Sequence, residues 1–145
     1  DKVVLQQKTI RNYVTSDFVQ VTPDAPSTQV MDKLLAADQT EAYVVSSQHT
    51  FLGQVTLTEL LKIRRTDTGD DPLVGDLAQH EQLTLTDMTS IFSAMKKVED
   101  FVGESIPVVS ADDHLKLVGV IPEGNIFKAY SDAIGEIREE EYGDS

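Results

Sequence analysis

The sequence contains an internal repeat, and this duplication limits the possible folds more than any other feature. Residues 10–46 align with residues 74–110 without a gap, at a constant offset of 64 positions. Beyond that stretch Gly53 aligns with Gly119, so the second copy carries two extra residues in the preceding turn, where insertions are tolerated. Because such a repeat is the signature of a duplicated supersecondary unit, the chain is expected to fold as two similar halves. The matched pairs include Ile10 with Val74, Tyr13 with Leu77, Val19 with Leu83, Val21 with Leu85, Thr22 with Thr86, Met31 with Met95, Val44 with Val108 and Ser46 with Ser110.

The two copies show the same order of predicted secondary structure. Short runs rich in β-branched residues predict strands, and apolar residues that recur every three or four positions predict helices with one buried stripe. The predicted helix caps are Asp24, followed by Pro26, and Asp87. In the first copy the predictions are a strand at 18–21, a helix with the stripe Val30, Met31, Leu34 and Leu35, strands at 42–45 and 51–55, and a helix at 59–64. In the second copy they are a helix with the stripe Ile91, Phe92, Met95 and Val98, strands at 106–109 and 115–121, and a helix from Glu123.

Each copy therefore has the predicted order β-α-β-β-α, which places the chain in the mixed α/β (α+β) class. The near-continuous apolar run Tyr43-Val44-Val45 is typical of a strand that is covered on both faces. One such unit is too small to bury both faces of its sheet. The two copies are therefore predicted to pack together with pseudo-two-fold symmetry.

The predicted boundaries follow from the repeat and from a change in composition. The repeats are placed at residues 9–65 and 73–130, and the polar, Asp- and Gly-rich segment 66–72 is predicted to be a linker. Residues 131–145 are predicted to form an acidic C-terminal helix or tail. Isoleucines at helical spacing extend the predicted helix to about Glu140, despite a glycine within it.

The composition excludes several classes of function. The chain has no cysteine, which removes thiol nucleophiles, redox pairs and zinc ribbons. Its net charge of −13 repels phosphate backbones and anionic lipid surfaces, so no nucleic acid is expected as a partner. No stretch approaches the roughly 20 apolar residues that cross a bilayer, and the given sequence shows no basic start followed by an apolar run of the secretory type. A cytoplasmic domain without membrane insertion is therefore expected. The chain begins at Asp1 rather than Met and is expected to be a segment of a longer protein.

No catalytic or metal-binding set can be assembled from the remaining residues. Two of the histidines His49, His80 and His114 lie in predicted turns, and none of the serines stands in a nucleophile-elbow motif. The cluster Asp112-Asp113-His114 is more typical of an exposed turn than of a metal site. We therefore expect no enzymatic activity, no catalytic residue and no metal.

Three motifs occur in a fixed order along the chain. The lead-in Thr9-Ile10-Arg11-Asn12-Tyr13-Val14-Thr15 precedes the first strand. The second motif is Ile106-Pro107-Val108-Val109, which stands as Ala42-Tyr43-Val44-Val45 in the first copy. The third motif is a glycine, two residues that are usually apolar, a Thr or Ser, two further residues, and then an Asp or Asn. It stands as Gly53-Gln54-Val55-Thr56-Leu57-Thr58-Glu59 in the first copy and as Gly119-Val120-Ile121-Pro122-Glu123-Gly124-Asn125 in the second. Together these motifs resemble a tandem pair of CBS domains, the Bateman module.

The resemblance to CBS pairs implies a regulatory module. Such pairs bind an adenosine nucleotide, here AMP, ADP or ATP, between the two repeats and control an attached channel, transporter or enzyme. The resemblance implies that Thr56 holds the phosphate and that Glu59 holds the ribose hydroxyls. The other ligand contacts that it implies are Thr15, Ala42, Tyr43, Val44, Ile106, Pro107 and Asn125.

The third motif departs from the family pattern. Glu59 replaces the usual Asp, Pro122 stands where Thr or Ser is usual and has no donor, and Asn125 carries no charge. Only the first repeat keeps both a hydroxyl and a carboxylate, so two equivalent nucleotide sites are not expected. Thr56 and Glu59 also fit a capping box that only stabilises the helix start. The alternative function is therefore a ligand-free module that holds two subunits of a larger protein together.

The resemblance also implies partners. We expect a homodimer formed through the second helices, which have apolar residues to spare: Leu61, Ile63, Phe127 and Ile134. The favoured parent is a membrane transport protein, with a ClC-type chloride channel or transporter first, because that family often carries a CBS pair at its cytoplasmic C-terminus. A magnesium transporter, an ABC transporter ATPase and a nucleotide-synthesis dehydrogenase remain open as alternatives.

Overall fold

The computed structural model describes residues 2–66, 69–80 and 82–143, with side chains described as far as residue 140. Residues 67 and 68 of the predicted linker and residues 144 and 145 of the predicted tail lie outside the described residues. In chain order the elements are α1 (Lys2–Gln7), a 3₁₀ helix (Arg11–Tyr13), β1 (Val19–Val21), α2 (Ser27–Ala37), β2 (Glu41–Val45), β3 (Phe51–Thr56), α3 (Leu57–Thr66), α4 (Val74–Leu77), β4 (Leu85–Thr86), α5 (Ile91–Val98), β5 (Ser105–Val109), β6 (Leu117–Pro122) and α6 (Glu123–Gly143).

The two repeats form equivalent three-stranded sheets. The strand order is β1-β2-β3 in the first sheet and β4-β5-β6 in the second. In the first sheet β1 runs parallel to β2, with Val19 opposite Ala42, whereas β3 runs antiparallel to β2. In the second sheet β4 likewise runs parallel to β5. Each repeat thus has the order β-α-β-β-α, and the predicted mixed α/β class is confirmed.

The second sheet has a shorter first strand than the first sheet. β4 has two residues, which pair with Val108 and Val109, whereas β1 has three. Pro107 occupies the position that Tyr43 has in the other middle strand, and a proline has no N–H to donate to a strand ladder. The pairing of β4 with β5 therefore begins after Pro107.

The chain divides into two compact units that do not follow the order of the repeats. We name residues 9–15 the first lead-in and residues 73–79 the second lead-in. Each lead-in belongs to the unit that contains the sheet of the other repeat, so Ile10 is buried in the core around β5 and Val74 in the core around β2. Within the described residues the first-repeat unit comprises 17–66, 69–80, 82 and 115–117, and the second-repeat unit comprises 2–16, 83–114 and 118–143.

Each unit has its own apolar core, built from its sheet, its two main helices and one lead-in. Full burial of a side chain such as Leu34, which is 0% exposed, stabilises the fold by about 1.5–3 kcal/mol. The core of the first-repeat unit is formed by Val19, Val21, Val30, Met31, Leu34, Ala42, Val44, Val55, Leu60 and Val74. That of the second-repeat unit is formed by Leu5, Ile10, Leu85, Ile91, Ala94, Val98, Ile106, Val108, Ile121, Ile126, Ala129 and Ala133.

The start of α2 differs from the prediction. Asp24 is not its cap: the helix begins at Ser27, and Asp24 instead accepts a hydrogen bond from the Thr22 hydroxyl at 2.6 Å. The first turn is capped from the linker, where the Asp71 carboxylate accepts from the Thr28 hydroxyl (2.6 Å) and from the Thr28 backbone N (3.0 Å). These two hydrogen bonds, the hydroxyl's first, hold the pKa of Asp71 below its ordinary value.

The start of α5 also differs from the prediction. Its cap is Ser90, whose Oγ accepts from the backbone N of Ser93 at 3.0 Å. Asp87, the predicted cap, accepts from the backbone N of Ala111 at 3.0 Å and so ties the end of β4 to the turn after β5. A short turn between β4 and α5 separates Asp87 from the helix, which is why the prediction is wrong.

Two smaller predictions are also wrong. Leu35 is 57% exposed, although the other three residues of its stripe are buried, because only one side of α2 packs against the sheet. The last strand begins at Leu117 rather than at residue 115. Leu115 precedes it and accepts, through its carbonyl O, from the backbone N of Phe51 at 2.7 Å.

The C-terminal helix α6 is continuous from Glu123 to Gly143, so the extension predicted from the isoleucine spacing is confirmed. Ile126 is buried and Ile134 is half-buried, both against the core of the second-repeat unit. Gly135 lies on the exposed side of the helix, where it does not interrupt the helical hydrogen bonding.

Candidate functional site

The N-terminus of α3 brings together the two predicted ligand residues of the first repeat. Thr56 ends β3 and Glu59 lies in the first turn of α3. The Thr56 hydroxyl donates to Glu59 Oε1 (3.0 Å) and accepts from the Glu59 backbone N (3.2 Å). Thr56 thus caps the helix, as the capping interpretation predicts. The arrangement also leaves a half-buried hydroxyl and a half-buried carboxylate side by side at the positive end of a helix dipole.

A glutamine from the second lead-in contacts the same carboxylate. Gln79 Nε2 lies 3.5 Å from Glu59 Oε2. The backbone of Gln79 pairs with Gln54 of β3 through two hydrogen bonds, of 2.9 and 3.2 Å. Gly53 permits this approach, because a Cβ at that position would lie 2.7 Å from the Gln79 carbonyl O. The glycine of the third motif therefore admits the chain's own second lead-in.

The equivalent position in the second repeat has a different chemistry. Pro122 stands in place of Thr56 and supplies no hydroxyl. Asn125, which corresponds to Glu59, donates from Nδ2 to the carbonyl O of Tyr13 at 3.0 Å. One of the two N–H donors of the Asn125 amide is therefore used within the fold.

Thr15, another predicted ligand residue, lies in the first lead-in. Its backbone N donates to Val120 O (2.8 Å), and its carbonyl O accepts from Val120 N (3.0 Å). A Cβ at Gly119 would lie 2.6 Å from this same carbonyl O. The glycine of the third motif thus has the same role in both repeats.

Tyr13 fixes the first lead-in to α6 at two points. Its carbonyl O accepts from Asn125, and its hydroxyl donates to Asp132 Oδ2 at 2.6 Å. The hydrogen bond to Asp132, together with burial and the charges of Asp132 and Glu136, raises the pKa of Tyr13 to about 12. The phenol therefore remains protonated, and remains a donor, at neutral pH.

The remaining predicted ligand residues lie in the two middle strands and are buried. Tyr43 is 1% exposed, and its ring packs edge-on against Phe18 (centroids 5.6 Å apart) and tilted against Phe51 (6.3 Å). The backbone of β2 is paired on one side with β1 and on the other with β3. Besides Tyr43, these buried middle-strand residues are Ala42, Val44, Ile106 and Pro107.

Two glutamines near the start of α3 were not among the predicted site residues. Gln54 is only 5% exposed, and its Nε2 donates to the carboxylate of Glu41 on the neighbouring strand. A polar residue at a usually apolar position of the third motif is a signal that could have identified it. Gln79 could have been identified as the counterpart of Thr15 at the repeat offset of 64.

Two basic side chains that could face a phosphate, Lys8 and Arg64, lie near acidic residues. Lys8 forms an ion pair with Glu136, which lies on α6 of the same unit. In the first-repeat unit Arg64 lines a cavity of about 220 Å³ together with Asp70 and Asp71. Within residues 2–66, 69–80 and 82–143, no three side chains of metal-ligating type cluster together.

The CBS domain family matches residues 10–65 and 74–132 of the chain. The chain therefore belongs to the CBS domain family and carries a tandem CBS pair. A search of curated protein sequences gives no match.

Solved structures of CBS-pair proteins share this fold. The chain is similar to CBSX2, a CBS-pair protein from Arabidopsis thaliana, which was also solved in complex with AMP. The similarity to the AMP complex has 23% identity and a TM-score of 0.73, and it covers 86% of this chain and 97% of that chain. It is similar to CbpB in complex with c-di-AMP at 14% identity and a TM-score of 0.75, over 96% of this chain and 95% of that chain. It is also similar to the soluble part of a magnesium transporter at 20% identity and a TM-score of 0.71, over 90% of this chain and 51% of that chain.

None of the helices in the described part of the chain has the length and apolar character that a membrane crossing requires.

Proposed function

We propose that this CBS pair is a regulatory module that binds an adenosine nucleotide through the start of α3. The observation that carries the proposal is the pairing of the Thr56 hydroxyl with the Glu59 carboxylate, 3.0 Å apart, at a helix N-terminus. Backbone N–H groups at a helix start favour a phosphate, and a carboxylate can accept from both hydroxyls of a ribose. The Thr56 hydroxyl has one proton, so it turns from Glu59 to the phosphate when the nucleotide binds. The complexes of CBSX2 with AMP and of CbpB with c-di-AMP support an adenine nucleotide as the ligand class.

The phosphate and ribose contacts that we propose belong to the first repeat alone. In the second repeat Pro122 has no hydroxyl, and Asn125 already donates to the carbonyl O of Tyr13. Neither group offers the chemistry that Thr56 and Glu59 provide. We therefore propose one principal site per chain.

Calorimetric titration of the chain with AMP, ADP and ATP tests the site. Thr56→Ala and Glu59→Ala should each weaken binding about tenfold or more, because a hydrogen bond to a charged partner contributes roughly 1.5–3 kcal/mol. Thr56→Ser, which keeps the hydroxyl and the helix cap, should restore most of the affinity. Pro122→Ala is the matched control in the second repeat and should leave affinity within a factor of about three.

The opposite pattern would show that the roles are misassigned. If Asn125→Ala abolishes binding while Thr56→Ala does not, the nucleotide is held by the second repeat. Thermal unfolding of each variant without nucleotide separates loss of the cap, which costs about 0.5–2 kcal/mol, from loss of a ligand contact.

The second candidate function is a ligand-free module that holds two subunits of a larger protein together. It is favoured by the mutual hydrogen bonding of Thr56 and Glu59 and by the net charge of −13, which opposes a phosphate. Thermal shift measurements distinguish the two functions. A nucleotide at 100 times its dissociation constant adds about 2.7 kcal/mol to the free energy of unfolding, and an empty module gains nothing.

We further propose that the module has no catalytic activity of its own and forms a homodimer. We also propose that it is attached to a membrane transport protein, with a ClC-type chloride channel or transporter favoured. Support for a transporter comes from the similarity to the soluble part of a magnesium transporter. Support for association comes from exposed apolar residues on the second helices, where Leu61 is 43% and Phe127 is 46% exposed. Sedimentation at tens of micromolar tests the dimer, and the coding sequence upstream of residue 1 tests the parent.

A further inference from the structure

We infer that Gln79, in the second lead-in, is a positioning residue for Glu59 and thereby sets how tightly the ribose of the nucleotide is held. The inference rests on the proposed function, because it concerns the same carboxylate. It adds to the site a residue from outside the repeat that contains Thr56 and Glu59.

The Glu59 carboxylate is held at both of its oxygens. Thr56 donates its hydroxyl to Oε1 at 3.0 Å, and Gln79 Nε2 reaches Oε2 at 3.5 Å. An ionised carboxylate has about four lone-pair sites, so two donors leave acceptor capacity for a pair of ribose hydroxyls. The two contacts therefore orient the carboxylate before the nucleotide binds, and the Gln79 contact remains available when the Thr56 hydroxyl turns to the phosphate.

The need for a second contact follows from the residue type at position 59. A glutamate has one more rotatable bond than the aspartate that is usual in the family motif, so it loses more side-chain freedom when it is held in one orientation. Once the Thr56 hydroxyl donates its one proton to the phosphate, a Glu59 carboxylate with no second donor could turn about its end carbon. The amide of Gln79 restrains this rotation because it contacts the second oxygen.

Gln79 is itself held firmly with respect to α3. Its backbone forms two hydrogen bonds with Gln54, and Gly53 leaves the space for its carbonyl O. The same lead-in is anchored by Val74, which is fully buried in the core that also contains Leu60 of α3. The backbone of Gln79 and the helix that carries Glu59 therefore belong to one packed structure.

The second repeat shows that the contact between a lead-in and the start of the helix is general, whereas its chemistry is not. There Asn125 contacts the first lead-in through the backbone carbonyl O of Tyr13. That contact uses one N–H of the Asn125 amide and presents no carboxylate. At the start of α3, by contrast, the side chain of the lead-in residue Gln79 donates and the carboxylate of Glu59 accepts.

The test compares AMP with 2′-deoxy-AMP in calorimetric titrations of the wild-type chain, Gln79→Leu, and Gln48→Leu as a control. Gln79→Leu keeps the approximate size of the side chain and removes the donor. It should weaken AMP about three- to tenfold, a change that corresponds to one weak hydrogen bond, and leave 2′-deoxy-AMP nearly unchanged. In a Glu59→Gln background the Gln79→Leu effect should disappear, because the carboxylate that it orients is gone. Gln48, in the exposed turn after β2, should have no effect on either ligand.

The outcomes separate the inference from the proposed function. If the wild-type chain binds no adenosine nucleotide, the proposed function fails and the inference fails with it. If the wild-type chain binds AMP but Gln79→Leu leaves the ratio of the two affinities unchanged, the inference alone is wrong. A parallel loss of affinity for both ligands, accompanied by a lower unfolding temperature, would show that Gln79 only supports the fold and would also overturn the inference.

Discussion

Alanine at Gly53 or Gly119 should destabilise the chain, because each glycine lies directly beneath the backbone of a lead-in. A Cβ at Gly53 would lie 2.7 Å from the Gln79 carbonyl O, and one at Gly119 would lie 2.6 Å from the Thr15 carbonyl O. Overpacking of this kind costs about 1–3 kcal/mol. Gly53 also has a φ of +143°, which adds backbone strain of about 1–3 kcal/mol for any other residue. Gly53→Ala should therefore be the more destabilising of the two.

Urea unfolding followed by far-UV circular dichroism measures these differences. Gly135→Ala is the matched control, because nothing lies within 4 Å of a Cβ at that position of α6. That control should stabilise the chain by about 0.5–1 kcal/mol, since alanine favours a helix interior more than glycine does. If Gly53→Ala unfolds at the same urea concentration as the wild-type chain, the second lead-in does not lie against β3 and the description of the site is wrong.

Hydrogen exchange locates the same effect at single amides. The amide of Gln54, which donates to Gln79 O, should exchange faster in Gly53→Ala, and the amide of Val120, which donates to Thr15 O, should exchange faster in Gly119→Ala. Each substitution should leave the other amide protected, because the two bridges lie in different compact units. Equal acceleration of both amides in either variant would contradict this assignment.

Two further predictions concern α2 and its cap. Leu34→Ala should lower the free energy of unfolding by about 2–5 kcal/mol. Leu35→Ala should change it by less than about 0.5 kcal/mol, because Leu35 is 57% exposed. Equal effects of the two substitutions in urea unfolding would contradict the burial of only one face of α2. Because the pKa of Asp71 is lowered in the folded chain, its carboxylate stabilises the fold above its unfolded pKa of about 3.9, and this contribution is lost as the pH falls through the folded value. Asp71→Asn should therefore flatten the decline of stability below about pH 4, and an Asp71 carboxyl that titrates at the ordinary pKa in an NMR experiment would refute the linker cap.

The sequence predicts the fold where the determining interactions are local. The order of strands and helices follows from β-branched runs and from apolar spacing, and both survive in the structure. The predicted caps are wrong because helix capping depends on turn length and on distant residues. Asp71, for example, caps a helix that begins 44 positions earlier, since 71 − 27 = 44. The sequence does not predict that each lead-in packs in the unit of the other repeat. Ile10 and Val74 occupy equivalent positions, and either residue would fit either core by size and polarity.

The same distinction explains what was predicted of the candidate site. Thr56 and Glu59 are three positions apart, so helix geometry alone brings them together. Gln79 lies 20 positions from Glu59 and reaches it only because Gly53 admits the lead-in. The contact is therefore a product of tertiary structure. The residue types at positions 59 and 79 predict it only when the position of the second lead-in is known.

The double substitution Pro122→Thr with Asn125→Glu tests how far the two repeats have diverged. These changes copy the residue types of Thr56 and Glu59 into the second repeat, yet they should not create a second nucleotide site. The Tyr13 carbonyl O, which now accepts from Asn125 at 3.0 Å, would face another acceptor, and a buried group left unsatisfied costs about 1–3 kcal/mol. We expect the double variant to unfold at lower urea concentration than the wild-type chain and the stoichiometry of AMP binding to remain at one. A second calorimetric site with unchanged stability would show that the residue types of the third motif suffice for binding and that the lead-in contributes nothing to it.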